Sequence, residues 1–195
     1  MNKTKRIIGV AAFFIANPCF SALGLSQDER LPAKARVTLL FTAMAYDHNL
    51  HSRCGDRVRI GVVSYSGDRN STKVAGETVA GIIALKSKKI KGLGIEVESV
   101  EVSTEDQMLK IMEEKKINTI YLSSGLGALL QPVLKYAQSK KVLVVTGEAE
   151  YVKKGAAIGV VKRGQKPKIL LHPIAAKEQG AKLDARLLRL VEMVR

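Results

Sequence analysis

From residue 57 onward the chain alternates. Four apolar, β-branched stretches are each followed by a stretch of helical periodicity, with short polar loops between. The strands read as "RVRIGVVS" (57–64), "IEVESVEV" (95–102), "INTIYLSS" (117–124) and "VLVVTGE" (142–148). Consecutive strands separated by a helix run parallel, through right-handed crossovers. With no Trp and 5% aromatic residues, the core has to be built from Val, Ile, Leu and Ala, which suits a sheet covered on both faces. Residues 142–148 are apolar almost throughout and predict a central strand. Residues 95–102 alternate in part and predict an edge. The expected fold class is α/β: three layers, a largely parallel sheet with helices on both faces.

The helices follow the same reading. "LPAKARVTLLFTAMAYDHNL" starts near Pro32, a good first-turn residue, and puts Val37, Leu40, Phe41, Met44 and Ala45 on one face. A second helix spans about 72–88, capped by Ser71 or Thr72. A third follows a Ser103 or Thr104 cap and closes on Lys115 and Lys116. A fourth holds Pro132, which either kinks it or marks its true first turn. The alternation then stops. Strands at 157–161 and 168–171 flank a polar turn, and a closing helix carries a Leu187, Leu190 and Val191 stripe that packs against them.

The first residues predict an export segment. Lys3, Lys5 and Arg6 precede a ten-residue apolar run at 7–16, the pattern of a signal peptide. That run is shorter than the roughly 20 apolar residues a membrane-spanning helix needs. Cleavage is expected at 21–24, leaving a signal at 1–22 and one domain at 33–194. Pro18 stands where a lipid-carrying Cys19 would need a small residue, so the lipoprotein reading fails. The whole chain carries a net charge of +14, and removing three basic residues leaves about +11. An exported protein rarely meets nucleic acid, and the lysine cluster Lys86, Lys88, Lys89 and Lys91 has no interleaved aromatics for base stacking. That cluster reads as a solvated helix end, with anionic lipid or an acidic partner surface as the sharper alternative. Cys54 is left as an odd cysteine, either buried and inert or paired to a second copy in a homodimer.

No catalytic set assembles. There is no phosphate-binding P-loop and no nucleophile elbow. His48 and His51 lie three apart without further ligands at metal-binding spacing, and nothing calls for a metal or cofactor. Three strands do end in small polar loops: Ser64, Ser66 and Gly67; Ser123, Ser124 and Gly125; Thr146 and Gly147. In open α/β sheets such loops either bind ligands beyond the strand ends or simply cap and turn the chain. They are the candidate ligand-binding residues.

Several segments together resemble the YfiR-like family of periplasmic proteins. They are "RVRIGVVSYSGD", "INTIYLSS", "KVLVVTGEAEYVKKGAAIGVV" and "KPKILLHPIAAKEQGAKLDARLLRLVEMV". The most specific positions are Ala175, Ala176, Gly180, Leu183 and the 187–190 run, and the resemblance spans about 33–194. It departs at His172, where members commonly place Asn, and at Gly155-Ala156, where a glycine pair is expected. A lone Cys54 also cannot form the intrachain disulfides many members carry. The resemblance implies a regulator rather than an enzyme, repressing an inner-membrane diguanylate cyclase by binding its periplasmic sensor domain. The alternative is a one-lobe small-ligand binding protein related to periplasmic solute-binding proteins. The basic turn Lys162, Arg163 and Lys166 is the candidate partner contact.

Overall fold

The computed structural model describes residues 30–194. The export-segment reading falls outside them. The sheet has seven strands: β1 (Arg57–Tyr65), β2 (Gly94–Val102), β3 (Thr119–Leu122), β4 (Leu143–Thr146), β5 (Ile158–Arg163), β6 (Lys166–Leu171) and β7 (Glu192–Met193). Their order is β2-β1-β3-β4-β5-β6-β7, parallel throughout except at the β5–β6 hairpin. The apolar 143–146 stretch is indeed the middle strand, and 94–102 is an edge.

Alternating side chains of each strand feed two cores. Val58, Ile60, Val62, Tyr121, Leu143 and Val145 join one face with α1 (Ala33–Met44) and α3 (Arg69–Ile83). Val63, Ile120, Leu122 and Val144 join the other, against α4 (Glu105–Glu114) and α5 (Leu130–Lys140). On α1 the buried face holds Val37, Leu40, Phe41 and Met44 as the spacing predicts, and also Arg36. Pro132 sits in the first turn of α5, after a 3-10 turn at Gly127–Leu129.

Two boundaries differ from the sequence reading. α3 begins at Arg69 because Asp68, not Ser71 or Thr72, accepts hydrogen bonds from Asn70 N and Ser71 N. α3 ends at Ile83, so Lys86, Lys88 and Lys89 lie in the loop beyond it and not on a helix end. The closing helix is the larger correction. The segment forms α7 (Pro173–Glu178), the one-turn α8 (Ala185–Leu188) and then β7. Gly180, at φ +82°, stops α7 in a conformation that favours glycine. Of the predicted stripe, Leu187 is buried, Val191 is half-buried and Leu190 is 63% exposed. Backbone groups past Leu187 leave the helix to pair with the edge of β6, ending in Val194 N to Leu171 O.

The corner between α1 and α2 (Leu50–Cys54) holds this C-terminal segment in place. Asp47 is fully buried. Its Oδ2 accepts from Arg53 Nε at 3.1 Å and Nη2 at 2.8 Å, and its Oδ1 accepts from Asn49 N at 2.9 Å and Lys182 N at 2.8 Å. His48 N to Lys182 O and Asp184 N to Tyr46 O complete a short antiparallel bridge. Arg53 Nη1 also donates to Asn118 O, just before β3.

Removing one member of a buried ion pair leaves the other charge buried and uncompensated. Asp47→Ala is therefore expected to cost about 3–5 kcal/mol, read as a lowered urea midpoint. Cys54 lies 3% exposed in the same core, and burial pushes its thiol pKa up. A bridge to a second chain requires α2 to come away from the sheet. Folded protein should run as a monomer band on a non-reducing gel and react with a thiol reagent only after denaturant is added.

Candidate functional site

The chain order reverses at β1: β2 lies on one side of it and β3 on the other. The crevice beyond the ends of β1 and β3 is where open α/β sheets usually bind ligands. It is where the sequence places the two serine loops, and the structure brings them together. Ser123 Oγ donates to Val63 O at 2.6 Å and lies 3.1 Å from Ser71 Oγ, which accepts from Tyr65 N. Asn70 Nδ2 donates to Ser124 Oγ at 3.1 Å, and Leu126 N donates to Tyr151 Oη at 3.1 Å. Asp68 crowds Gly125 so closely that a Cβ there would lie 2.2 Å from its Oδ2, while a Cβ at Gly67 would strike the Tyr65 ring. Ser64 is buried. The polar groups of the two serine loops are thus largely engaged with one another through capping and cross-strand bonds, while Ser66 and Gly67 stay exposed.

The third loop behaves differently. Thr146 Oγ1 donates to Leu122 O and accepts from Glu148 N, so its hydroxyl is fully engaged. The next residue, Gly147, lines an open cleft of about 200 Å³ at the ends of β4 and β5. Arg30, Leu31 and Arg36 form one wall, Glu148 and Ala149 another, and Val160, Val161 and Lys162 of the hairpin a third. Lys162 is the one residue of the basic turn that reaches this cleft. Arg163 pairs loosely with Glu192 at 3.7 Å on the surface, and Lys166 is exposed.

Arg36 is the residue that sequence reading missed. It is 2% exposed, its Nη2 donates to Thr78 Oγ1 at 3.0 Å and its Nη1 to Leu31 O at 3.4 Å. Its guanidinium carbon stands 5.7 Å from the Tyr121 ring centroid, a cation–π arrangement. Arg36 Nε has no hydrogen-bond partner among the described residues, and Tyr121 Oη makes no bond of ordinary geometry there, although the Thr78 side chain lies near enough to favour its ionised form. Both border Gly147: a Cβ there would lie 2.9 Å from Tyr121 Oη and 3.4 Å from Arg36 Nε. Burial, the largest influence, raises the Tyr121 pKa, while Arg36 pulls it back. The phenol is therefore neutral at neutral pH and able to donate. The signal for Arg36 in the sequence is a charge at apolar spacing, four before Leu40 and seven before Ala43.

At the opposite end of the sheet a second hollow of about 460 Å³ opens between α1, the lysine loop and the start of α8. Phe41 and Tyr46 line it with Lys88, Lys89 and Arg186. Lys91 turns inward to donate to Asp47 O at 3.2 Å. His48 reaches Asp184 at 3.2 Å, and His51 is an exposed residue of α2, so the two histidines do not share a ligand position. Asp184 is held well below the usual carboxylate range, chiefly by hydrogen bonds from the Arg186 side chain and backbone. Among the described residues no three His, Cys, Asp or Glu side chains gather as a metal site, and no helix is long and apolar enough to cross a membrane.

Solved structures share the fold. The tryptophan-complexed ABC domain from Streptococcus pneumoniae superposes with a TM-score of 0.60 at 16% identity, over 84% of this chain and 62% of that one. An open, ligand-free substrate-binding protein with adhesive properties from Clostridium difficile gives 0.56 at 17%, over 75% and 57%. A conserved domain protein from Vibrio cholerae gives 0.57 at 13%, over 84% and 60%. The chain thus spans about three fifths of each of these structures. No curated protein gives a significant sequence match. The YfiR/HmsC-like family matches across residues 57–192, from the first residue of β1 into β7 and well over half of the chain, and the protein belongs to that family.

Proposed function

We propose that this protein is an exported regulator that represses an inner-membrane diguanylate cyclase, or a similar sensor, by binding its periplasmic domain. The family match carries the reading: YfiR/HmsC-like proteins fit a role as periplasmic regulators that act through protein partners. The single-lobe body supports it. Periplasmic binding proteins close by a hinge around their ligand. A single lobe suits docking on a partner surface.

The mechanism is a population shift. A regulator that binds the inactive form of its receptor more tightly moves the receptor toward that form. Moving it from about 99% active to about 1% takes roughly a 10⁴-fold preference, near 5.5 kcal/mol. Basic and apolar surfaces can share this work. The hairpin turn offers Lys162, Arg163 and Lys166, and the C-terminal segment exposes Ile174, Leu188, Leu190 and Met193. The exposed lysines beyond α3 supply the same attraction for anionic lipid heads at the membrane where such a receptor sits.

Deleting the gene should raise cellular cyclic-di-GMP, and an unchanged level would sink the cyclase reading. Reversing Lys162, Arg163 and Lys166 to Glu should leave the urea midpoint in place, because all three are exposed. The same variant should slow association with the receptor's periplasmic domain by about tenfold at low salt. Unchanged association would show that the turn does no more than join β5 to β6.

A further inference from the structure

We propose that the hollow of about 460 Å³ between α1, the loop after α3 and α8 binds a free, single-chain acyl carboxylate, with its chain against the apolar lining and its head among Lys88, Lys89 and Arg186. The apolar lining is Phe41 and Ala45 from α1 with Leu85 and Ile90 from the loop. The cations come from two segments far apart in sequence. Lys88 and Lys89 are exposed and form no ion pair among the described residues. Arg186 is held ready: its Nε and Nη2 donate to the two oxygens of Asp184 at 3.0 and 2.8 Å, and its guanidinium carbon stands 5.9 Å from the Tyr46 ring centroid. Its side chain is still 76% exposed, so an incoming anion meets an accessible charge whose geometry is already fixed. Among the described residues Asp184 is the one carboxylate in this lining, and Arg186 already answers it. Lys91 also lines the hollow, with its ammonium donating to Asp47 O. The lysines therefore face one concavity as like charges, and an anion placed there relieves their repulsion.

The lining narrows the ligand class. The volume falls within the range of small-molecule sites. No Asn or Gln lines it to read the edge of a base or a sugar. Thr38 and Thr42 do line it, but their hydroxyl protons go to Lys34 O at 2.8 Å and Thr38 O at 2.9 Å. Neither aromatic ring offers a free stacking face, because Phe41 is 9% exposed and Arg186 covers Tyr46. A flexible hydrocarbon chain asks for neither hydrogen bonds nor a stacking platform, and an anionic head satisfies the cations. A lipid within a bilayer presents its head first and keeps its chains turned away, so the apolar lining would meet no chain. The occupant is therefore a free molecule. The inference stands apart from the cyclase reading, since the hollow can fill with no receptor present.

The test is titration of the folded protein with sodium octanoate at low, fixed ionic strength, followed by ¹⁵N NMR. The amides of Thr42, Tyr46, Lys89 and Arg186 should shift saturably, with a Kd of about 1 mM or tighter. Each methylene removed should weaken binding about fourfold, so hexanoate binds roughly 15-fold less tightly. Octylammonium, with the same chain and the opposite charge, should leave these amides unmoved. Lys88→Ala combined with Lys89→Ala, at two exposed loop positions, should weaken octanoate about fivefold and leave the urea midpoint in place. Thr42→Phe, at an exposed position of α1, should fill the hollow and abolish the shifts. Amides unmoved by about 20 mM octanoate overturn the proposal. Equal binding of octanoate and hexanoate means attraction by charge without an apolar site, and overturns it as well. So do saturable shifts confined to the groove around Ala176 and Leu188, which place the ligand elsewhere. Adsorption to phosphatidylglycerol vesicles without saturable octanoate binding leaves a charged face and no site.

Discussion

The fold depends on a buried carboxylate at a corner. Asp47 takes four hydrogen bonds with both oxygens, two from Arg53 and two from backbone amides, and one of those amides lies far along the chain at Lys182. Arg53 reaches on to Asn118 O before β3. One ion pair thereby joins the end of α1, the entry to β1, the entry to β3 and the C-terminal segment. The charge pair alone is weak support for stability once its desolvation is counted. What makes it decisive is position. Backbone groups of three segments, at Asn49, Asn118 and Lys182, converge on this pair, and each must find a partner there. Gln179 does the same at a second point. Its Oε1 accepts from Val144 N and its Nε2 donates to Gly155 O, where β4 runs on without a β5 partner. The C-terminal segment is wired into the sheet by side chains rather than wrapped round it as a long helix.

This wiring explains where the sequence misleads. Leu187, Leu190 and Val191 have helical spacing, but spacing reports which residues share a face only if the backbone stays helical. Gly180 ends α7, Lys182 and Asp184 are drawn to the Asp47 corner, and the edge of β6 offers unpaired groups that β7 fills. Each is a long-range contact that a local period does not register. The four β/α strands, by contrast, were legible because a strand buried on both faces has to be apolar at every position. The central place of β4 and the edge place of β2 follow from that one rule.

The site was legible only in outline. The strand-end loops were identified, and in two of the three the serines are bonded to their own neighbours. Asp68, Ser71 and Ser123 are all good capping and bridging residues, and the sequence does not show whether such groups face one another or a ligand. Arg36 escaped because a charged residue beside an apolar stripe normally extends its head to water. It stays inside because Thr78, Leu31 and the Tyr121 ring receive it. Cys54 was ambiguous in sequence for a similar reason: burial, not spacing, sets what its thiol can do.

The hairpin gains a role from the same geometry. In a purely doubly wound sheet β5 would be an exposed edge beside the central strand. Here β6 pairs along its whole length, from Ile158 opposite Leu171 to Arg163 opposite Lys166, and β7 covers part of the next edge. Lys162 of β5 stands at the mouth of the cleft beside Gly147, while Arg163 and Lys166 stay on the surface. The hairpin that finishes the sheet thus also supplies one wall of the cleft beside Gly147, through Val160, Val161 and Lys162.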